Sequence, residues 1–197
     1  MALISKPTLI AKLTPMLALL LLAQVATAAP QAYQLQPDLS PAGFETDFGP
    51  DKITGTMPVL VADLTLDFAH VAGSKVAVTL NAAGSAASFP FASQAMRSPK
   101  VLDTAQVPEI SFVSTSVTSE AQGATVAGNI PIRGVTQPAS FHPEIWRQQG
   151  TIDGDLSHLT IRLTDAILRS HCGAMGWNDM VGDEVRLNIL ARIERAT

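Results

Sequence analysis

A single cysteine, Cys172, is present, so no intramolecular disulfide is available and the fold must stand on its hydrophobic core. Aromatic residues are sparse: two Trp, one Tyr and seven Phe among 197 residues. A wall built from this chain is therefore mostly Val, Ile, Leu and Ala, which suits a flexible aliphatic ligand better than a flat aromatic one. No basic stripe occurs, which makes nucleic acid and anionic membrane surfaces poor partners. Neither G-x-S-x-G nor H-E-x-x-H is found, so the common serine-hydrolase and zinc-protease arrangements are missing. Only one long apolar run exists, and it lies at the start.

That run, Met16 to Ala23, follows Lys6 and Lys12 and precedes Ala26-Thr27-Ala28. A basic start, a short apolar stretch and an A-x-A site describe a secretory signal peptide over residues 1–28. The run is short for a bilayer span, which needs ~20 apolar residues. Cleavage is expected after Ala28, because a cut after Ala29 would place the rigid ring of Pro30 behind the scissile bond. Residues 1–28 hold two of the thirteen Lys+Arg and none of the seventeen Asp+Glu, so residues 29–197 carry a formal charge of −6. The expectation is one periplasmic or secreted domain over 29–197, with no stable membrane insertion after cleavage and with ATP, NADH and reducing thiols out of reach.

What the rest of the chain has is period-two alternation. Leu64, Leu66 and Phe68 alternate with Asp63, Thr65 and Asp67; Val76, Val78 and Leu80 alternate with polar or small residues. Val126, Gly128, Ile130 and Ile132 share one parity, as do Ile161, Leu163 and Ile167, and then Val185, Leu187, Ile189, Ala191 and Ile193. Strand side chains alternate faces, so each segment has one apolar and one wet face, the mark of antiparallel sheet. Turn signals fall at Gly73-Ser74, Gln122-Gly123, Gly134, Gln149-Gly150 and Gly182-Asp183. With residues 108–118 as a further strand, about eight strands result, spaced for a sandwich or a barrel. Between Pro90 and Pro99, residues Phe91 and Ala95, with Leu102 beyond, make one face of a short helix, and residues 170–181 read as a loop or helical turn.

Three kinds of chemistry are available to this composition. His171, Cys172 and Met175 offer an imidazole, a thiol and a thioether, the ligand set that suits copper, but adjacent side chains tend to point apart. Cys172 as a nucleophile would need His70, His142 or His158 as base, and nothing in the spacing brings them together. Arg97-Ser98, Lys100, Arg133 and Arg169-Ser170 carry donors for an anionic head group. The apolar strand faces either fill a core or line a ligand cavity.

Several segments together resemble the YceI-like family of lipocalin-like, polyisoprenoid-binding periplasmic proteins. They are Tyr33-Gln34-Leu35 with Ala42-Gly43-Phe44; Met96-Arg97-Ser98 through Asp103, then Val107 to Thr115; Val126 to Ala139, containing Arg133-Gly134-Val135-Thr136-Gln137-Pro138; and Arg169 to Trp177 with Val181 to Ile189. The resemblance implies an all-β fold, an eight-stranded antiparallel lipocalin-like extended barrel with a short helix near its mouth. It also implies an apolar lumen for a long-chain isoprenoid or similar acyl lipid, without catalytic residues, metal or cofactor.

On that basis the lumen is expected to be lined by Phe44, Leu64, Leu66, Val78, Phe112, Ile130, Ile132, Leu163, Leu187 and Ile189. Arg97, Ser98 and Arg169 are the candidates for the polar end. Two other readings remain open: a redox or stress-response protein using Cys172 with or without copper, and a filled barrel or sandwich acting as an interaction module with no small ligand. Oligomeric state is not legible.

Overall fold

A computed structural model describes residues 29–121 and 123–197. The signal-peptide expectation and its cleavage site after Ala28 therefore lie at and beyond the edge of the described residues. Eleven strand segments form one antiparallel sheet: β1 Gln31–Leu35, β2 Ala42–Phe48, β3 Asp51–Met57, β4 Val59–Leu66, β5 Lys75–Asn81, β6 Ala86–Ala87, β7 Glu109–Glu120, β8 Gly123–Ile132, β9 Val135–Arg147, β10 His158–Leu168 and β11 Val181–Arg195. The helix α1 spans Pro90–Arg97. The order β1-β4-β5-β7-β8-β9-β10-β11 returns to β1 and closes a ring of eight strands. The fold is thus the all-β closed antiparallel barrel, and the sandwich is excluded.

Two interruptions at prolines, with the two-residue β6 standing outside the ring, explain why eleven segments make eight strands. β1 and β2 both pair with the same edge of β11, Tyr33 opposite Arg195 and Ala42 opposite Ile189. They are two halves of one strand, interrupted by a 3-10 turn at Pro37–Leu39. Ser40 mends the break: its hydroxyl donates to Gln36 O at 2.7 Å and accepts from Arg192 N at 2.9 Å. β3 and β4 are likewise halves of one strand parted at Pro58, whose missing N–H cannot serve a ladder.

Bulges set which residues face inward. Register shifts fall between Val59 and Val61, between Ser114 and Ser116, and between Val181 and Val185. Each inserted residue flips the parity downstream, so β7 turns Phe112 inward before its bulge and Val117 after it. Gly182-Asp183 belongs to the third shift, inside β11, and is not a turn between strands as the sequence suggested. Thr46 Oγ1 donates to Gly182 O and Glu184 O, so the bulge carbonyls have a partner. At the β8–β9 connection, Arg133 and Gly134 take φ +53° and +76°, the two left-handed residues of a tight hairpin.

One end of the barrel is plugged. Tyr33, Leu159 and Ile193 are buried there with Leu35, Leu64 and Leu156, and the Tyr33 hydroxyl donates to Leu156 O at 2.8 Å. The other end is different. β5 stops at Asn81, opposite Pro58, and leaves most of the outer edge of β3 bare; β6 takes only Gly55 and Thr56 of it. The helix α1 sits over this gap. Pro90 starts it at the first helical position, where no N–H is needed, and Ser98-Pro99 end it. The expected helix is observed, with Phe91 and Ala95 on its lumen-facing side; Leu102 falls in the turns that follow it and not on its face, but also lines the lumen.

Candidate functional site

The interior holds a cavity of about 720 Å³, within the ~300–1,000 Å³ of ordinary small-molecule sites. Packing to native density would leave no such space, so the filled-barrel alternative does not describe this interior. Phe44, Leu64, Leu66, Val78, Phe112, Ile130, Ile132, Leu163, Leu187 and Ile189 all line it. The register shows why alternation finds them. Leu163 faces Ile189 across β10–β11, Leu187 faces Phe44 across β11–β2, and Val78 faces Phe112 across β5–β7. Residues directly opposite share a face, so inward rings build up strand by strand.

Two glycines give the aromatic lining its room. A Cβ on Gly128 would stand 2.4 Å from Val113 O and 2.5 Å from the Phe112 ring. Without it, Phe112 lies flat along β8 and meets Phe141 edge to face, ring centres 5.1 Å apart. At Gly55 a Cβ would stand 2.2 Å from the Phe44 ring and 2.3 Å from Ala86 O, so this glycine admits both the ring and β6.

Polar groups on the wall are few, and most are engaged. The Asp67 carboxylate accepts from the N–H groups of Ala69 and His70 at 3.0 and 2.7 Å and shapes the turn after β4. The Ser74 hydroxyl accepts from Asp67 N at 2.9 Å. Among the described residues, no buried side-chain nitrogen or oxygen is left without a partner. The lumen therefore offers contact area and very little hydrogen bonding.

The head-group candidates separate. Ser98 lines the cavity at the α1 end, its hydroxyl donating to Ala95 O at 2.6 Å. Arg97 points away from the lumen, donating to Ser93 O and Ala83 O. Arg169 touches the lumen wall but is only 7% exposed. Its Nε donates to Gly182 O, Nη1 to Ala174 O and Gly176 O, and Nη2 to Val181 O, all at 2.7–2.8 Å. Arg169 is the staple of the 169–182 loop; four carbonyls take the guanidinium donors that a head group would need. Residue type announced a fork of donors but not which acceptors already held them.

The Cys172 cluster also comes apart. A 3-10 turn at Arg169–Cys172 turns His171 to solvent and Cys172 inward, where it is 2% exposed and lines the lumen, while Met175 is exposed. Burial pushes the Cys172 thiol up from its ordinary value, which disfavours the reactive thiolate. Among the described residues, no three His, Cys, Asp or Glu side chains cluster as metal ligands. No helix among them is long and apolar enough to cross a membrane.

Trp177 and Met180, from the loop before β11, line the cavity and are also exposed, as is Phe91 of α1. Sequence reasoning had no signal for them as a mouth, because loop residues carry no periodicity.

The same barrel recurs in solved structures. BcnA of Burkholderia cenocepacia superposes with a TM-score of 0.71 at 16% identity, covering 83% of this chain and 100% of that one. A polyisoprenoid-binding domain from Saccharophagus degradans gives 0.59 at 13% identity, covering 84% and 99%. The YceI protein of Campylobacter jejuni gives 0.59 at 18% identity, covering 70% and 81%. Among sequences, the UPF0312 protein YE1254 of Yersinia enterocolitica is 31% identical over 84 residues, and the YceI protein of Salmonella arizonae 29% over 94. These matches span 43% and 48% of this chain and just under half of the relatives, 44% and 49% of their length. The family description is a YceI-like domain, and its model matches residues 33–193, from the Tyr33 plug to the last inward residue of β11. With that match and the shared barrel, this chain belongs to the YceI-like family.

Proposed function

We propose that this protein is a non-enzymatic binding protein that shelters a long isoprenoid or acyl chain in its barrel lumen, in the periplasm or outside the cell. The observation that carries this reading is the cavity itself: about 720 Å³, walled by aliphatic side chains and Phe, with no buried side-chain nitrogen or oxygen among the described residues left without a partner. Such a wall rewards only apolar area. Ten buried methylenes contribute roughly 8 kcal/mol at ~0.8 kcal/mol each, comparable to the free energy of micromolar binding at about 8.2 kcal/mol. Longer chains are needed to offset the freedom lost on binding.

The polar end of the ligand belongs at the α1 end, beside Ser98 and the exposed Gln94, since the opposite end is closed by Tyr33, Leu159 and Ile193. The name of the Saccharophagus neighbour supports an isoprenoid, and the signal-peptide pattern of residues 1–28 supports an extracytoplasmic site of action. Titration with cis-parinaric acid, a fluorescent polyene fatty acid, tests the reading. Emission should rise saturably and be displaced by a long isoprenoid alcohol. No rise, with no displacement of any apolar probe, would contradict it.

A further inference from the structure

Around the α1 end, Phe89, Phe91, Met175, Trp177 and Met180 are all solvent-exposed, Phe91 at 59%. Phe89 and Phe91 stack, ring centres 5.8 Å apart. Across the opening, Gly176 N donates to Lys100 O at 2.9 Å, and Lys100 Nζ lies 5.7 Å from the Trp177 ring, which ties the Trp177 loop to the segment following α1. Trp177 holds φ +56°, an unfavourable conformation for a bulky residue, and the N–H groups of Met180 and Val181 close on its carbonyl. Phe91, Trp177 and Met180 line the cavity as well, so the apolar rim and the apolar lumen are one continuous surface.

The geometry points to this rim as a docking surface for a neutral lipid bilayer, through which a chain passes between membrane and lumen without crossing water. Continuity with the lumen selects the occupant, because a chain leaving the cavity at this end meets these side chains next. The charges near the rim are mixed, with Arg97, Lys100, Arg133 and Lys52 against Glu45, Asp47, Asp179 and Asp183. Together with the acidic balance of residues 29–197, this gives no field that would select an anionic surface. Attachment then rests on shallow insertion of Phe, Met and Trp, the last an amphipathic ring suited to the interface. The docking surface draws its purpose from the lumen reading, but its test does not depend on it.

Of the two tryptophans, Trp146 lies on β9 of the barrel wall, so a W146F protein reports from Trp177 alone. With phosphatidylcholine vesicles, Trp177 emission should shift to the blue and the protein should float with the vesicles; adding phosphatidylglycerol should bring no gain. Phe89 and Met175 do not line the cavity, so the double variant F89S/M175S should lose vesicle flotation at least tenfold while keeping cis-parinaric acid uptake in solution. L60S, at an exposed site on β4, should float like the parent. Unchanged flotation of the double variant overturns the proposal, as does absence of a vesicle-induced shift. A blue shift that follows protein concentration without vesicles also overturns it and assigns the rim to a second copy of the chain. Failure of probe uptake with flotation intact would instead overturn the lumen reading.

Discussion

Replacing Arg169 by alanine separates a loop staple from a lipid-binding group. The side chain is nearly buried and donates to the carbonyls of Ala174, Gly176, Val181 and Gly182. Burial lowers its pKa, and Asp183 acts in the opposite direction. Hydrogen bonds to a charged group are worth about 1.5–3 kcal/mol each, but four bonds from one side chain do not add, since the freed carbonyls partly rehydrate. A loss of about 3–5 kcal/mol is expected, the usual range for breaking a buried charged contact. For a domain of this size that lowers Tm by roughly 6–20 °C at about 2–4 °C per kcal/mol. Thermal unfolding by circular dichroism reads the loss. Release of the 169–182 loop should also expose Cys172, measured as faster reaction with a disulfide reagent at a fixed temperature below both midpoints. An R169A protein with unchanged Tm and unreactive Cys172, but lost probe uptake, would refute the staple and return Arg169 to the ligand.

Three further outcomes follow from the same geometry. G128A places a methyl 2.4 Å from the backbone oxygen of Val113 and forces the Phe112 ring inward; a stability loss of about 1–3 kcal/mol in urea unfolding is expected, with weaker uptake of long probes. L187D puts a carboxylate on the apolar wall opposite Phe44 and should cut cis-parinaric acid affinity at neutral pH by tenfold or more, with partial recovery in acid as the group neutralises. The pH profile of stability should fall at both ends. Asp183, held low by the Ser170 hydroxyl, Asp47, held low by Arg186, and Glu45, held low chiefly by Lys52, have folded values below their unfolded ones. Their stabilisation is present above about pH 4 and is lost as pH falls through the folded values. The raised Cys172 works the other way: its contribution is present below about pH 8.5 and is lost as pH rises through its folded value. A C172A protein that keeps the full alkaline decline would remove that assignment.

The lumen was legible because it depends on parity. Leu187 and Ile189 on β11, beyond its register shift, and Leu163 on β10 needed only the two-residue period of a regular stretch to be placed on the inner face. Parity across a bulge was not legible, because one extra residue leaves no compositional trace: Val117 lines the lumen although it is out of phase with Phe112. Gly182-Asp183 looked like a turn because glycine and aspartate serve a bulge equally well. The count of strand segments was obscured by Pro37 and Pro58, which interrupt ladders without ending the strands they belong to. At the polar end, residue type showed which side chains carry donors but not which acceptors hold them. Arg97 and Arg169 carry donors, but the carbonyls of Ala83 and Val181, fourteen and twelve residues away, and of Ala174 in the same loop hold them, and such contacts exist only after folding. The α1 helix was readable from its flanking prolines, whereas the mouth it forms with Trp177 and Met180 depended on two loops meeting.

The central claim is tested most directly by purifying the protein from its own host without detergent, extracting it in organic solvent and recording the mass spectrum of what it held. The account predicts a long isoprenoid or acyl chain at close to one per barrel, sharply reduced in the L187D protein. A barrel that arrives empty and takes up no apolar probe, or one whose bound species is small and polar, would contradict it.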